Sequence, residues 1–531
     1  MIKLTIVRKN RYFDSVFLMQ VAKRITAVPG VRDASALLAT PANKKVLTEL
    51  GFGHGEREAD FDAAGPNDLV IAVEGEEAAV RGVASDPEAW LQRPAARDES
   101  TLAAGAAQRE PRSIREAVEA RPDSSVAVIS VPGEHAAREA RAALDQGLNV
   151  FLFSSNVSVE DERALKEAAR GRGLIVMGPD CGTAFLCGAG IGFANAVRRG
   201  PIGIVGSSGT GMQEFASLVH AAGSGISHGI GTGSRDLSDA IGGISTLTAV
   251  EALEADPGTA LIAILSKPPG EQAARILMER LGTCRKPVVL CLLGASTAPA
   301  GGRRVLAASL IDDAVELALR QSGHAGTVQP RPLAETLRAM AASEAAKMKP
   351  GQRHVRGLFA GGTFCYQSQA IFRGAGLVVH SNSPMAGMKA LADPRVSRES
   401  SFVDMGAETF VEGRPHPMID ATLRRRRLEQ EGNDPTVAVI LLDFILGAIS
   451  SRDPVGDLVP AIRAARDSAH RRGDHLCFVA SVCGTDEDAQ GLAAQRGTLS
   501  DAGVFVFSSN AQAADFCRYV SQHLSLRKGS R

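Results

Sequence analysis

Short apolar segments alternate with amphipathic segments along most of this chain, and no other feature limits its possible folds as strongly. Three apolar segments, at Ser125–Val131, Asn149–Phe153 and Leu174–Met177, are separated by stretches of helical periodicity. Strands that are apolar on both faces and are joined by helices belong to parallel sheets covered by helices on both sides. The sequence therefore predicts an α/β fold with doubly wound parallel sheets.

The same alternation continues on both sides of this region and predicts several domains. The chain has 531 residues, which is enough for three or four compact units of ordinary size. Connections without strand or helix periodicity are expected at 92–112 and 323–352. The predicted domains are a small N-terminal α/β domain at 1–95 and three further α/β domains at 112–199, 200–325 and 351–525.

The composition excludes several classes of partner. Lys plus Arg and Asp plus Glu each number 59, so no excess charge favours nucleic acid or an anionic membrane surface. The eight cysteines form no Cys-x-x-Cys pair, which argues against a zinc site or a disulfide framework. The sequence contains no signal-peptide pattern and no apolar run near the ~20 residues of a membrane span. We expect a cytoplasmic protein with no metal, no nucleic acid partner and no membrane partner.

A glycine-rich turn in the middle of the chain is the first candidate site. The apolar run Pro201–Val205 leads into Gly-Ser-Ser-Gly-Thr-Gly at 206–211, and a helical pattern follows. The unpaired N–H groups and the dipole of a helix N-terminus bind anions. We therefore predict phosphate binding here, with a plain tight turn as the alternative, by Ser207, Ser208, Gly209 and Thr210.

Two further groups of polar residues are candidates for substrate binding. The phrase Phe151–Asn156 recurs in similar form as Phe505–Asn510, each time with Ser-Ser-Asn after an apolar segment. Ligands of open parallel sheets bind at the carboxyl ends of strands, which makes candidates of Ser155, Asn156, Ser509 and Asn510. The alternative is that these residues cap the next helix.

A polar segment punctuated by Gly and Pro supplies four more candidates: Asp404, Glu408, Arg414 and His416. Polar loop residues of this kind suit substrate binding, and the alternative is a solvated connection. His416 would act as an acid or base near neutral pH, or would be an exposed structural histidine. The four arginines at 424–427 are expected to form a solvated helix face.

The order of several phrases gives a family resemblance. Val176–Gly182, Gly203–Thr210, Gly229–Gly233 and Lys286–Val289 together resemble the α subunit of succinyl-CoA synthetase over residues 112–302. The region from Val355 onward resembles the CoA-ligase domain of the β subunit. The nearly full-length resemblance is to the FdrA family, through phrases that include Val7–Asn10, Thr40–Lys44, Phe402–Glu408, Glu412–Asp420 and Val482–Asp486.

This resemblance implies the types of the larger domains. It implies a Rossmann-like CoA-binding-type domain at 112–199, a flavodoxin-like domain at 200–325 and a CoA-ligase-type domain at 351–525. FdrA-like proteins are described as acyl-CoA synthetases and are also linked to oxamate carbamoyltransferase in allantoin breakdown. They are thought to work with other protein subunits.

The chain departs from succinyl-CoA synthetase at its catalytic positions. The family's phosphoryl-carrying histidine falls in the segment Ala300–Ala308, which contains no histidine. A later Gly-His-Ala-Gly phrase at 323–326 is interpreted as coincidental. The glutamate that holds that histidine corresponds to the segment Ser266–Gly270, which contains Lys267 instead. The family's CoA-binding glycine phrase and an ATP-grasp domain have no counterpart here.

These departures lead to a functional prediction. The chain is expected to be a subunit of a carbamoyltransferase that acts on an acyl phosphate, with carbamoyl phosphate and oxamate as substrates and no phosphohistidine. Lys267 and Asp180 are the predicted catalytic residues. The cation of Lys267 would stabilise the leaving phosphate. The alternatives are an ATP- and CoA-dependent acyl-CoA synthetase, which would use CoA or a nucleotide, and a non-catalytic scaffold subunit.

Overall fold

The computed structural model describes residues 1–11, 13, 15–54, 58–92, 111–295, 304–324, 332–411 and 414–526. The chain divides into two compact units. The first comprises Met1–Arg109 with Glu412–Arg414, and the second comprises Glu110–Val411 with Pro415–Arg531. Each unit contains its own buried apolar cluster. The four-domain division stays a prediction.

The first unit contains a three-stranded antiparallel sheet. Its strands are β1 (Ile2–Arg8), β2 (Val31–Leu38) and β3 (Leu69–Gly75), in the order β1-β3-β2. All seven residues of the central strand β3 are buried, as an apolar run in a central strand requires. The helices are α1 (Ser15–Thr26), α2 (Pro41–Glu49), α3 (Glu58–Asp62), α4 (Glu77–Ser85) and α5 (Pro87–Trp90).

The second unit begins with a small parallel sheet. Its strands β4 (Val126–Ile129), β5 (Asn149–Leu152) and β6 (Val176–Met177) lie in the order β4-β5-β6. The connecting helices are α6 (Ile114–Ala120), α7 (Gly133–Asp145) and α8 (Val159–Gly171). This confirms the predicted strand and helix alternation.

A seven-stranded sheet follows in the chain. The order is β13-β12-β11-β9-β10-β7-β8, with β9 to β13 parallel and the hairpin β7–β8 antiparallel. The strands are β7 (Thr183–Leu186), β8 (Ala189–Gly192), β9 (Arg199–Gly206), β10 (Ile226–Gly231), β11 (Leu261–Ser266), β12 (Val288–Leu292) and β13 (Val305–Ala308). The helices are α9 (Gly209–Ala221), α10 (Ile244–Ala255), α11 (Glu271–Gly282) and α12 (Ile311–Gln321).

A second seven-stranded sheet is parallel throughout, in the order β16-β15-β17-β14-β18-β19-β20. Helix α13 (Ala334–Lys347) precedes it. The strands are β14 (His354–Phe359), β15 (His380–Ser381), β16 (Lys389–Ala390), β17 (Ser401–Asp404), β18 (Val437–Ile445), β19 (Cys477–Cys483) and β20 (Phe505–Phe507). The helices are α14 (Gly362–Gly374), α15 (Glu408–Val411), α16 (Thr422–Gly432), α17 (Val459–Arg471), α18 (Leu492–Asp501) and α19 (Asn510–Leu526).

Two expectations from the sequence are wrong. The segment 323–352 is not simply a loose connection, because it contains the 14-residue helix α13, which is rich in the strong helix formers Ala, Glu and Lys. The arginine run is not a solvated face. Arg424 and Arg427 are buried, and they pair with Asp443 and Glu431 at 2.8 Å and 2.6 Å.

Strand register brings the ends of neighbouring strands together. Gly206 of β9 pairs with Leu265 of β11, so that the segments after these two strands leave the sheet side by side. In the second seven-stranded sheet, Phe359 of β14 pairs with Asp404 of β17. Helices α9 and α14, which follow β9 and β14, contact each other. The candidate site lies where these four strand ends meet.

Candidate functional site

The predicted glycine-rich turn forms the start of helix α9. Ser208 is the N-cap residue, with φ −138° and ψ 124°, but its side chain makes no capping hydrogen bond. Ser207 is held in place, because its N–H donates to the Leu265 carbonyl at 3.0 Å and its hydroxyl donates to Ser266 at 2.9 Å. The N–H groups in the first turn of α9 therefore have no side-chain acceptor at the N-cap.

A second helix begins next to this turn, also without a side-chain cap. The N-cap of α14 is Gly361, which has no side chain to make a capping hydrogen bond. The hydroxyl of Ser208 contacts the hydroxyl of Thr363 in the first turn of α14. A Cβ atom built on Gly211 would lie 3.2 Å from Thr363 Cγ2. The positive ends of two helix dipoles thus meet at one point, and this arrangement favours a bound anion.

A buried hydroxyl without a partner lies beside the same turn. Thr183 is 1% exposed, and its Oγ1 has no hydrogen-bond partner among the described residues. A Cβ atom built on Gly209 would lie 3.0 Å from this oxygen. Since a buried hydroxyl normally has a partner, Thr183 Oγ1 is available to donate to a ligand at the start of α9.

Lys267 and Asp404 provide opposite charges near the two helix starts. Lys267 follows β11 and is exposed, and its Nζ lies 5.1 Å from the ring centroid of Tyr366 on α14. Asp404 ends β17, is 8% exposed and accepts a hydrogen bond from Gly406 N–H at 3.0 Å. A Cβ atom built on Gly362 would lie 2.5 Å from Asp404 Oδ2. Burial raises the pKa of Asp404 to about 6, although the Lys267 charge opposes this shift.

Asp180 and Glu408 add further negative charge to this region. Asp180 has φ +58°, and its carboxylate accepts a hydrogen bond from Ser234 at 3.5 Å. The protein packed around Asp180 raises the pKa of its carboxyl group, and the charge of Glu408 adds to this increase. The charge of Asp180 in turn raises the pKa of Asp404. The carboxylates of Asp180, Asp404 and Glu408 are therefore linked by electrostatic interactions, and Lys267 supplies the nearby positive charge.

The two Ser-Ser-Asn phrases have different environments. Ser155 and Asn156 are exposed after β5. Ser509 and Asn510 are 1% and 0% exposed, and Ser509 Oγ accepts a hydrogen bond from Gln512 N–H at 3.3 Å at the start of α19. The second phrase therefore has the geometry of a helix cap, which was the alternative interpretation.

Ser509 and Asn510 also face a pair of buried carboxyl groups. The Ser509 hydroxyl donates to Asp312 Oδ1 at 2.6 Å, and the Asn510 N–H donates to Glu214 Oε1 at 2.7 Å. Burial raises the pKa of Glu214, and the charge of Asp312 adds to this increase. Ser509 and Asn510 thus bind groups of the protein itself.

Arg414 and His416 are the remaining predicted site residues. Arg414 is half-buried and belongs to the first unit. His416 is half-buried and packs against Phe193, with ring centroids 5.5 Å apart. Burial and the charge of Arg424 lower the pKa of His416 to about 4. A lowered pKa favours the neutral imidazole near pH 7, and the role of His416 as an acid or base stays a prediction.

The region that corresponds to the phosphoryl-carrying histidine is only partly described. Residues 300–303 lie outside the described residues, and Val305–Ala308 form β13. In the later Gly-His-Ala-Gly phrase, His324 Nε2 lies 2.9 Å from the Ala222 carbonyl at the carboxyl end of α9. Because α9 has 13 residues, His324 lies about 20 Å from the helix start at the site. This supports the interpretation of that phrase as coincidental.

Sequence reasoning missed Thr183 and Thr363. Thr183 follows the phrase Val176–Gly182, and Gly361-Gly362-Thr363 is part of the CoA-ligase resemblance, so both stood beside recognised motifs. Their roles depend on contacts that are distant in sequence. Within the described ranges, no group of three or more His, Cys, Asp or Glu residues could hold a metal ion, and no helix is long and apolar enough to span a membrane.

Comparison with known proteins assigns the chain to a family. Residues 358–520 match the CoA-ligase model, and residues 1–111 match the model described as AllF, heavy metal-associated domain. The uncharacterized protein YahF of Escherichia coli strain K12 is 42% identical over 97% of both chains. This chain belongs to the YahF family. The narrower assignment to the FdrA family stays a prediction.

A further curated relative is a succinate–CoA ligase subunit, and one solved structure that matches part of the chain is an acetyl-coenzyme A synthetase. The α subunit of the ADP-forming succinate–CoA ligase of Methanothermobacter thermautotrophicus is 30% identical over 36% of this chain and 64% of that subunit. The apo structure of dinucleotide-forming acetyl-coenzyme A synthetase 1 of Ca. Korarchaeum cryptofilum covers 78% of this chain and 87% of that chain, at 17% identity and a TM-score of 0.28. The chain thus has a CoA-ligase domain and relatives among succinyl-CoA synthetase α subunits.

The heavy-metal description of the N-terminal model does not fit the residues of this chain. Residues 1–111 contain no cysteine and one histidine, His54. Soft metal ions are bound through thiolates and imidazoles, and one imidazole cannot complete such a site. We assign no metal to this domain.

Proposed function

We propose that this chain transfers an acyl group from an acyl phosphate to the thiol of CoA, in a reaction of the CoA-ligase class. The observation that carries the proposal is the contact between Ser208 and Thr363, which places side by side two helix N-termini whose N-cap residues make no side-chain capping hydrogen bond. The match of residues 358–520 to the CoA-ligase model supports the same class of reaction.

The phosphate of the substrate would bind at the two helix starts. The N–H groups of the first turns of α9 and α14 would donate to its oxygens, together with the hydroxyls of Ser208, Thr363 and Thr183. Ser207, Gly209 and Thr210 are half-buried, so this turn is accessible to a ligand. Lys267 would neutralise charge on the phosphate as it leaves. Catalysis would then rest on positioning and on leaving-group stabilisation.

The carboxylate of Asp404 beside this site would accept the proton of the CoA thiol. The thiol sulfur attacks the acyl carbon, a C–S bond forms, and the C–O bond to phosphate breaks. The thiol proton passes to the carboxylate of Asp404, whose pKa of about 6 suits proton transfer near neutral pH. Phosphate leaves with the electron pair of the broken bond. Asp180 and Glu408 would bind the polar part of the acyl group.

The acyl phosphate would reach this chain ready-made. The segment 300–308 contains no histidine, so the proposed reaction has no phosphohistidine step in this segment. Lys267 attracts a phosphate directly instead of orienting an imidazole. A source of acyl phosphate would be a partner subunit or another enzyme.

Carbamoyl transfer is the second candidate. Carbamoyl phosphate is an acyl phosphate that the same helix starts could hold, with the amide nitrogen of oxamate as the acceptor. The observation that favours carbamoyl transfer is Lys267, which stands where the resemblance to succinyl-CoA synthetase places the glutamate that holds a phosphohistidine. Transfer from carbamoyl phosphate needs neither a phosphohistidine nor an ATP-driven step. The match to the CoA-ligase model and the similarity to a succinate–CoA ligase α subunit support the thioester reaction more strongly.

The experiment is a matrix of donors and acceptors. Acetyl phosphate or carbamoyl phosphate is incubated with the purified chain and with CoA, oxamate or neither, and phosphate release is measured. We expect CoA-dependent release that falls about tenfold to a hundredfold in Ser208→Ala and Thr363→Val. Thr248→Val is the control, because Thr248 bonds only within α10.

The other outcomes separate the alternatives. Oxamate-dependent release from carbamoyl phosphate would establish the second candidate. No release, with inorganic phosphate still bound and partner subunits co-purified, would indicate a scaffold. Release that is unaffected by both site variants would contradict the proposed location of the site.

A further inference from the structure

Lys267 is the cation of the candidate site, and its backbone lies next to the start of α9. The residue before it, Ser266, accepts a hydrogen bond from the Ser207 hydroxyl at 2.9 Å. The residue after it is Pro268, whose ring restricts the preceding residue to extended backbone conformations. Lys267 therefore leaves the sheet directly beside the turn that precedes α9.

The ammonium group of Lys267 contacts a ring instead of a carboxylate. Among the residues that the structure describes, Lys267 forms no ion pair and no hydrogen bond. Its charge lowers the pKa of Asp404, but the two side chains are not paired. Lys267 Nζ lies 5.1 Å from the centroid of the Tyr366 ring, which is within the ~6 Å over which an aromatic face attracts a cation.

Tyr366 lies on the face of α14 that belongs to the site. It follows Thr363 by three positions, and residues with this spacing share one face of a helix. Thr363 contacts Ser208 at the start of α9. Three residues span about 4.5 Å along a helix axis, so Tyr366 lies less than one helical turn beyond the contact between the two helix starts.

Packing fixes the ring of Tyr366, and the ring carries no charge. Tyr366 is half-buried and packs against the apolar cluster that includes Met212 of α9 and Leu265 of β11. Burial raises the pKa of its hydroxyl, although the charge of Arg373 opposes this shift. The phenol is therefore neutral near pH 7 and does not cancel the charge of the lysine.

We propose that Tyr366 is a positioning residue, whose ring face holds the Lys267 ammonium group beside the two helix starts. A carboxylate in this place would hold the lysine but would cancel its charge. A ring attracts the ammonium group and leaves its three N–H groups free to donate to a phosphate. This proposal rests on the proposed function, and it explains how the same phosphate site keeps an unpaired cation in place.

The test is a double-mutant cycle on phosphate affinity. Binding of inorganic phosphate to the purified full chain is measured by titration calorimetry for wild type, Tyr366→Leu, Lys267→Gln and the double variant. We expect Tyr366→Leu alone to weaken binding about twofold to fivefold. In the Lys267→Gln background the same change should have no effect, because Tyr366 acts through the lysine. Equal losses in both backgrounds would show a structural role and overturn the proposal.

Tyr366→Phe separates the ring from the hydroxyl. This variant keeps the ring face, so we expect it to retain most of the affinity that Tyr366→Leu loses. A loss in Tyr366→Phe as large as that in Tyr366→Leu would assign the effect to the hydroxyl and overturn the proposal.

Tyr519→Leu is the matched control for the loss of a tyrosine beside cations. The ring of Tyr519 faces Arg338 on α13 and Arg518 on α19, and neither helix supplies a group to the proposed phosphate site. We expect unchanged phosphate affinity in Tyr519→Leu. A loss equal to that in Tyr366→Leu would show a general effect of removing a tyrosine and would overturn the proposal.

The same measurements separate two failures. If the wild-type chain binds no inorganic phosphate, the proposed function fails, and the role of Tyr366 fails with it. If the wild-type chain binds phosphate and Tyr366→Leu binds it equally well, only the role of Tyr366 is wrong.

Discussion

Gly362 permits the close approach of Asp404 to the start of α14, and its substitution tests this arrangement. In Gly362→Ala the new Cβ atom would lie 2.5 Å from Asp404 Oδ2, and Cβ atoms in proteins essentially never lie closer than 3.0 Å to a neighbouring heavy atom. Either the carboxylate or the helix start must move by about 0.5 Å or more. We expect a loss of about 1–3 kcal/mol in the free energy of unfolding.

The expected change in melting temperature follows from the size of the second unit, which spans roughly 400 residues. An unfolding entropy of about 2.1 cal/mol/K per residue gives about 0.8 kcal/mol/K for such a unit. Gly362→Ala should therefore lower Tm by about 1–4 °C in calorimetry. Displacement of the α14 start should also weaken the binding of inorganic phosphate, measured by titration calorimetry, because the first-turn N–H groups of α14 would no longer point at the ligand.

Gly374→Ala is the matched control, because Gly374 ends the same helix and a Cβ there meets nothing within 4 Å. An alanine at this position gains helix propensity, so we expect an unchanged Tm or an increase of about 1 °C. Equal Tm values and equal phosphate affinities for the two variants would refute the placement of Asp404 against α14.

Three further predictions concern charge. Lys267→Gln should weaken phosphate binding about fivefold to tenfold, because it removes a cation beside the helix starts. Lys286 precedes β12, at the amino ends of the parallel strands, so Lys286→Gln should leave the affinity measured by calorimetry unchanged. Sulfate keeps the same charge from pH 5 to 8, so a change in its affinity over this range reports a change in the charge of the protein. Its binding should weaken as pH rises through about 6, because Asp404 ionises there and its negative charge repels the anion. Asp404→Asn should remove this pH dependence, and an inflection retained near pH 6 would contradict the assignment. Burial raises the pKa of Glu214 in the folded state, so the folded protein holds a proton that the unfolded chain releases, and stability should fall as pH rises above the ordinary carboxyl range. Glu214→Gln should flatten the profile of Tm against pH, and an unchanged profile would show that Glu214 is ionised in the fold.

Local pattern was enough to predict the start of α9. Strand β9, the glycine-rich turn and the helix after it are continuous in sequence, and their periodicity distinguishes strand from helix. The second helix start could not be found in this way. Ser208 and Thr363 are separated by 155 positions, and contacts at that distance depend on how the two seven-stranded sheets pack.

Two other features of the structure could not be predicted from local sequence pattern, again for physical reasons. Strand β10 has no continuous apolar run that would predict it from the sequence, because His228 and two glycines interrupt its pattern. The run at 424–427 suggested a solvated face because four charges in sequence are usually exposed. Arg424 is buried because its partner Asp443 lies on the neighbouring strand β18, and that pairing is visible only in the fold.

The most direct measurement is a crystal structure of the chain with bound acetyl phosphate or inorganic phosphate. We predict a phosphate group within hydrogen-bond distance of the first-turn N–H groups of both α9 and α14, with Thr183 Oγ1 or Ser208 Oγ donating to it. A phosphate bound elsewhere at saturating concentration, with the contact between Ser208 and Thr363 unchanged, would contradict the central claim.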